Sequence, residues 1–411
     1  MTNPAIWNID PALTLLGVGL FIALIPLAWW WNAHRRASPL LRLRALTYLI
    51  LFLTFDLVIF GAFTRLTDSG LGCPDWPGCY GSASPMGAQH HIHAAQTAMP
   101  DGPVTIHKAW IEMIHRYLAS AVGALIIVLT ALSWRWRRAL HTISDAYAVP
   151  SPWWATATLV WVCVQGAFGA LTVTLKLYPA VVTLHLLGGI GLLVLLALQL
   201  QRYTWASGMA EDNRSAPAQS AMPGMPAIPL AATPIWLKAL VIATLLFTLL
   251  QIMLGAWVST NYAVLICTDF PTCHGQWWPI MDFAQGFTLF RHLGLDSTGE
   301  LLAIEALTAI HYTHRLMAYF VLLLLSLLGA IVWRFAQAQT TPIQQASTRS
   351  YAWAMWALAL GQFGTGLSNI ILGWPLLAAL MHTAGAALLM VLLCLLLAHL
   401  NRLKPNTAPL K

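Results

Sequence analysis

Apolar residues in this chain of 411 run in blocks of about 20 or more, and no other feature limits the possible folds as strongly. A helix of roughly 20 apolar residues crosses a bilayer core of about 30 Å. Within lipid a helix also satisfies its own backbone N–H and C=O groups, which an open strand cannot do. Charged residues are only 9% of the chain and hydrophobic ones 58%, whereas a water-exposed surface uses roughly 25% charged residues. The expected class is an all-α integral, multi-pass membrane protein. Nine spans are expected, at about 12–31, 45–66, 109–133, 152–174, 179–201, 235–258, 303–333, 351–373 and 376–400.

Basic residues orient the spans. The flank Met1–Asp10 holds no Lys or Arg, so it does not match a cleaved signal peptide, whose n-region is basic. Arg35, Arg36, Arg42 and Arg44 follow the first span instead. The positive-inside rule makes that loop cytoplasmic, which predicts a periplasmic N-terminus and, after alternation, a cytoplasmic C-terminus. Most other basic residues then fall inside too. Arg65, Lys108, Arg116, Lys176, Arg291 and Arg315 are the exceptions, in outer loops or near outer span ends. The net charge of +7 is thus mainly a topology signal. Its dispersal over short loops argues for lipid as the surrounding partner and against nucleic acid.

The chain also repeats. Gly61-Ala-Phe precedes Cys73-Pro-Asp-Trp-Pro-Gly-Cys79-Tyr-Gly, and Gly255-Ala-Trp precedes Cys267-Thr-Asp-Phe-Pro-Thr-Cys273-His-Gly, at an offset of 194. Further on, Glu112-Met-Ile-His115-Arg116 corresponds to His311-Tyr-Thr-His314-Arg315 at an offset of 199. Gln165, Gly169 and His185 correspond to Gln362, Gly366 and His382 at an offset of 197. Spans 2–5 and 6–9 therefore form two four-helix units running in the same sense, related by a pseudo-axis along the membrane normal. This gives an extra N-terminal helix with its loop (1–44), a first bundle (45–205), a cytoplasmic linker rich in Ala, Pro, Ser and Met (206–234) and a second bundle (235–411).

Polar residues in the spans mark candidate chemistry. His115, His185, His311, His314 and His382 lie within spans, where ionisable groups are costly and tend to be functional. The alternative for any one of them is a single satisfied bond across a helix interface. His34, His141 and His399 fall at the cytoplasmic side; His90, His91, His93, His107, His274 and His292 fall in outer loops, where solvation competes with metal binding. Two matched pairs, His115 with His185 and His314 with His382, stand at similar depth, and neutral imidazole is a good axial ligand for haem iron in a bundle core. Gly188, Gly189, Gly191 and Gly385 leave room near the second histidine of each pair, although helix packing alone also selects glycine. Arg116 and Arg315 suit propionate carboxylates, with snorkelling to the interface as the alternative. Cys73 with Cys79 and Cys267 with Cys273 form disulfides on an oxidising side or bind metal, but neither loop has the short clusters of a typical zinc site.

The halves differ where the first has Glu112 and the second, at the equivalent place, has His311. Glu112 shares a helix face with His115, one turn away. A carboxylate there serves a reacting haem by relaying a proton or stabilising positive charge, or it pairs with Arg116, four residues on. The first reading makes the first unit the reacting site and the second the permanent one.

As an ordered set, Glu112-x-x-His115-Arg116, His185, His314-Arg315, His382 and both Cys-x5-Cys loops resemble the haem A synthase family of bacterial membranes and mitochondria, over roughly residues 45–400. The resemblance implies haem O as substrate between His115 and His185, and haem b, with its iron, as cofactor between His314 and His382. It implies oxidation of a ring methyl (C8) to a formyl group through a hydroxymethyl intermediate, supplying haem for cytochrome oxidase. It implies a catalytic part for Glu112, haem handling or electron transfer for Cys73 and Cys79, and an inner-membrane location. Haem O synthase and cytochrome oxidase assembly follow as partners. The first span departs from the family's commonest eight-span pattern. A dihaem electron carrier linked to quinol and a haem transporter or chaperone are the competing functions; Glu112 and the unequal halves favour the enzyme.

Overall fold

In the computed structural model, residues 10–140, 149–215, 233–296, 298–339 and 341–402 are described. The flank before Asp10, His141, most of the expected linker (216–232) and the last basic residues lie outside them. Long helices dominate: α1 Asp10–His34, α2 Pro39–Leu66, α4 Ile106–Arg135, α5 Pro152–Thr174, α6 Pro179–Ser215, α7 Ile235–Thr260, α9 Ile304–Gln337, α10 Pro342–Ile371 and α11 Leu376–Arg402. Two short helices, α3 Gln89–Ala98 and α8 Phe283–Gly286, sit in the loops before α4 and α9.

Local sequence accounts for the helix starts. Ser38, Thr105, Ser151 and Thr341 each cap a helix by accepting a backbone N–H two or three residues on. Such caps satisfy donors the first turn leaves open. Proline follows three of them at the first helical position, where its missing N–H costs nothing.

Eight of these helices are long and apolar enough to cross a membrane among the described residues. The ninth expected span, 351–373, is helical as part of α10, but its composition falls short of that standard. Gln362, Thr365, Ser368 and Asn369 lower its hydropathy, and two of these bond to a histidine described below. The linker expected from 206 begins later, since α6 continues to Ser215.

Two compact units divide the chain: Met1–Thr204 with Leu289–Gly299, and Trp205–Thr288 with Glu300–Lys411. In the first, α4 packs on α1, α2 and α5. The α5–α6 seam closes where Gln165 lies over Gly188 and Trp161 over Gly191, and α6 meets α2 where Gly189 faces Val58. In the second, α9 packs on α7 and α10, and α11 packs on α10 and α7. Fully buried large aliphatics gather at one end of each unit: Leu43, Leu46, Ile50 and Leu129 in the first, Leu237, Leu328, Leu393 and Leu396 in the second. These positions lie away from the cysteine loops, so bulky side chains fill the far half of each unit. Nearer the loops, buried Met113, Ile310 and Tyr312 pack alongside glycine, histidine and glutamine.

Helix α1 has a defined place. It runs along α4, and a Cβ on Gly19 would stand 2.4 Å from the Ser120 Cβ. Its Leu15 joins the cluster of Cys73, Cys79, Ile92 and Met113 under the first cysteine loop. Gly17 has nothing within 4 Å. Gly19→Leu should therefore lower the thermal unfolding temperature in detergent, by the equivalent of about 1–3 kcal/mol of overpacking, while Gly17→Leu should leave it unchanged. Equal melting of the two variants would contradict this packing.

Candidate functional site

Each unit ends in a loop built to one plan. Cys73 and Cys79 lie at bonding distance, with S–S 2.14 Å, and Cys267 and Cys273 likewise at 2.01 Å. All four are fully buried. The carboxylate of Asp75 accepts the N–H groups of Tyr80 (2.5 Å) and Gly81 (2.7 Å). In the second loop Asp269 accepts those of His274 (2.8 Å) and Gly275 (3.0 Å). Both turns need two successive residues at positive φ, Tyr80-Gly81 at 49° and 69° and His274-Gly275 at 53° and 70°, which accounts for the glycine ending each motif. Burial of the Asp269 carboxyl works against its charge. Hydrogen bonds from Thr272, Gly275 and His274 outweigh that and hold its pKa at about 2. A carboxyl depressed in this way grips its turn at any pH above the ordinary carboxylate range and lets go only as pH falls toward 2.

An arginine ties each loop to the helix below. Arg116 on α4 donates through Nη1 to the carbonyls of Asp75 (3.1 Å), Pro77 (3.2 Å) and Gly78 (2.6 Å). Arg315 on α9 donates through Nη1 to Asp269 (2.9 Å) and Thr272 (2.6 Å), and through Nη2 to Cys267 (2.9 Å). These buried guanidiniums anchor loop backbone rather than extending to the surface. The buried Nε of Arg315 has no hydrogen-bond partner.

Glu112 and His311 occupy matching places and perform one common task. The Glu112 carboxylate accepts the Cys73 N–H at 2.8 Å through Oε2, and pairs with Arg116 Nη2 at 2.5 Å through Oε1. His311 Nδ1 accepts the Cys267 N–H at 3.3 Å. The ion pair weighed for Glu112 in the sequence is thus present.

The four paired histidines lie at matching depths. His115 and His314 stand about 14 and 15 Å along α4 and α9 from their first residues, and His185 and His382 both about 9 Å along α6 and α11, at 1.5 Å per residue. His115 and His185 lie within electrostatic range of each other, as do His314 and His382. Under each ring is a glycine. A Cβ on Gly61 would stand 3.0 Å from His115 Cε1, on Gly169 3.4 Å from His185, on Gly255 2.8 Å from His314 and on Gly366 3.2 Å from His382. All four of these glycines belong to the repeat motifs, but sequence alone gave no sign that they seat the imidazoles. The glycines expected to make room, Gly188 and Gly385, are instead covered by the side chains of Gln165 and Gln362.

The ring nitrogens are served unequally. In the second unit Gln251 Nε2 lies 3.0 Å from His314 Nδ1, and Thr365 Oγ1 lies 2.9 Å from His382 Nδ1. In the first, Nδ1 of both His115 and His185 is buried without a hydrogen-bond partner. Gln251 and Thr365 are residues the sequence reading missed; the signal was available, because their counterparts at the same offsets are Leu57 and Phe168. Elsewhere, His91 stacks on Tyr80, His34 contacts the Trp30 carbonyl and His399 contacts Thr348. No group of three or more His, Cys, Asp or Glu poised for a metal ion occurs among the described residues.

Eight apolar helices, two arginine-anchored cysteine loops and two half-buried imidazole pairs define a multi-pass membrane protein with one histidine pair in each unit. The chain belongs to the COX15-CtaA family, described as cytochrome oxidase assembly protein, whose sequence pattern matches residues 44–394. Among its relatives is a protein of Shewanella oneidensis named Heme A synthase, 34% identical over 85% of this chain and 94% of its own length. Proteins of the same name from Halalkalibacterium halodurans and Caulobacter vibrioides are 26% and 25% identical, each over 84% of this chain and over 92% and 91% of their own. The family is the one the sequence motifs resemble.

The loop geometry makes a prediction. Cys73 and Cys79 should resist mild reductant and alkylation in the native protein. Arg116→Ala leaves buried carbonyls unanswered, each charged hydrogen bond being worth about 1.5–3 kcal/mol, and should speed labelling on the order of 10-fold or more. Mass spectrometry of the labelled peptide decides it, and labelling at the native rate would show that Arg116 does not hold the loop.

Proposed function

We propose that this chain is an oxidoreductase of haem A biosynthesis, oxidising a ring methyl of haem O to a formyl group through a hydroxymethyl stage. The observation that carries the reading is the recurrence, in a chain of this family, of two half-buried imidazole pairs, each ring seated on glycine. Two imidazoles in electrostatic range, each over a glycine, would suit holding a haem iron between them. Two nitrogens are too few for a closed zinc site.

On this reading haem O is the substrate, held by His115 and His185, and haem b is the resident cofactor, held by His314 and His382. When bound, haem b supplies one-electron transfer. The protein's own residues do the rest. The imidazoles fix the plane of the substrate ring. Glu112, one turn from His115, stabilises positive charge arising on the substrate or carries a proton away from it, and its link to Arg116 and Cys73 holds it in place. Arg116 and Arg315 present positive charge toward the propionates at the loop end, the free Nε of Arg315 being suited to one of them. The chain lies in the inner membrane with a periplasmic N-terminus, cysteine loops outside, and takes haem O from haem O synthase for cytochrome oxidase assembly.

Membranes containing the protein, supplied with haem O and reductant, should yield hydroxymethyl and formyl haems on extraction. Unchanged haem O, with both sites occupied, would instead favour a dihaem electron carrier or transporter. Glu112→Gln keeps an acceptor for Cys73; it should retain bound haem yet lower turnover on the order of 100-fold, the usual scale for a positioned acid or base. Full turnover would leave Glu112 a loop anchor alone. Gly255→Ala should displace His314 and lower the haem content of purified protein, whereas Gly364→Ala, with nothing within 4 Å, should not.

A further inference from the structure

The two imidazole pairs differ in what stands behind them, and one contact fixes a proton. Thr365 Oγ1 has a single proton to give. It lies 2.7 Å from the Gly361 carbonyl, four residues back on α10, and 2.9 Å from His382 Nδ1. The Gln362 carbonyl, at 3.3 Å, is the more distant alternative acceptor. Two oxygens at 2.7 Å need a proton between them, and a helical threonine commonly gives its proton to that carbonyl. The hydroxyl oxygen therefore accepts from Nδ1, and Nδ1 carries the hydrogen. The other nitrogen, Nε2, keeps its lone pair.

We infer that Thr365 is a positioning residue: it holds His382 in the tautomer whose Nε2 is free to bind iron, and so makes the second unit the site that keeps its haem. This rests on the reading that His382 is a haem ligand. A ligating imidazole whose far N–H is hydrogen-bonded is fixed in rotation and is a stronger donor. It favours the oxidised iron and releases the haem slowly. In the first unit Phe168 occupies the corresponding position. The Gln165 carbonyl lies near His185 but leaves Nδ1 without a hydrogen bond. An unsupported ligand suits a porphyrin that must arrive as substrate and leave as product.

The test uses the full-length protein with both haems bound, in detergent. Haem loss to excess apomyoglobin and the midpoint potential of the second-unit haem are measured for the wild type, Thr365→Val and Thr365→Ser. Thr365→Val, close in shape but without the hydroxyl, should lose that haem on the order of 10-fold or more faster, with a raised potential. Thr365→Ser should restore both values. The reverse exchange, Phe168→Thr, should slow haem loss from the first unit, and it tests the proposal even where Thr365→Val fails to fold. Wild-type potential and retention in Thr365→Val would overturn the proposal, as would unchanged loss in Phe168→Thr. His382→Ala separates the two levels: a wild-type second-unit spectrum in that variant overturns the ligand reading and this proposal together, while its loss alongside an unaltered Thr365→Val overturns only the role of Thr365.

Discussion

A guanidinium buried one residue beyond a histidine ties each unit together. Inside a membrane protein a charge without partners is expensive, and carbonyls that a loop cannot pair with itself are expensive too. Arg116 and Arg315 resolve both problems together by turning their N–H groups into the carbonyls of the cysteine loops. That contact fixes the loop over the helix end and fixes the helix face on which the neighbouring histidine sits. The cysteine pairing and the aspartate-held turn then stiffen a loop whose position the arginine has already set.

The same position can be filled by different chemistry without changing the scaffold. Glu112 and His311 both accept the N–H of the first loop cysteine. A carboxylate also answers Arg116, so the first loop needs no carbonyl for that nitrogen. With neutral imidazole in its place, Arg315 takes the Cys267 carbonyl instead. The structural requirement is thus only an acceptor at this place, and a carboxylate exceeds it by bringing a buried charge within one turn of His115. The proposed catalytic part for Glu112 draws on that excess, which the scaffold does not by itself explain.

Much of this was legible from residues alone. Hydropathy located the long helices because lipid leaves the backbone few alternatives, and α10 escaped the hydropathy standard because its polar residues serve His382. The repeat located the histidines, the arginines and the cysteine pairs, since each copy checks the other. It did not reveal what the repeated glycines touch: a glycine in a motif signals a close approach without naming the neighbour, and Gly61 and Gly188 proved to face different partners. The place of α1 was also hidden, because a helix outside the repeat has no second copy to compare. Gln251 and Thr365 stayed hidden because a repeat displays what its halves share, and these are positions where they differ.

Those differences bear on how one scaffold could serve two haems in unlike ways. If both pairs bound haem equally firmly, a substrate haem could not leave; if both bound loosely, the electron-transferring haem would be lost. Changing the ligands themselves would put binding at risk in either unit. Changing the residue behind a ligand adjusts grip while keeping the imidazole, its glycine seat and its depth. Threonine behind His382, where the first unit has Phe168 at the corresponding place in the sequence, is a substitution of this kind. Under the proposed function, the division between substrate and cofactor therefore lies one shell outside the histidines, in side chains that no ligand motif would include.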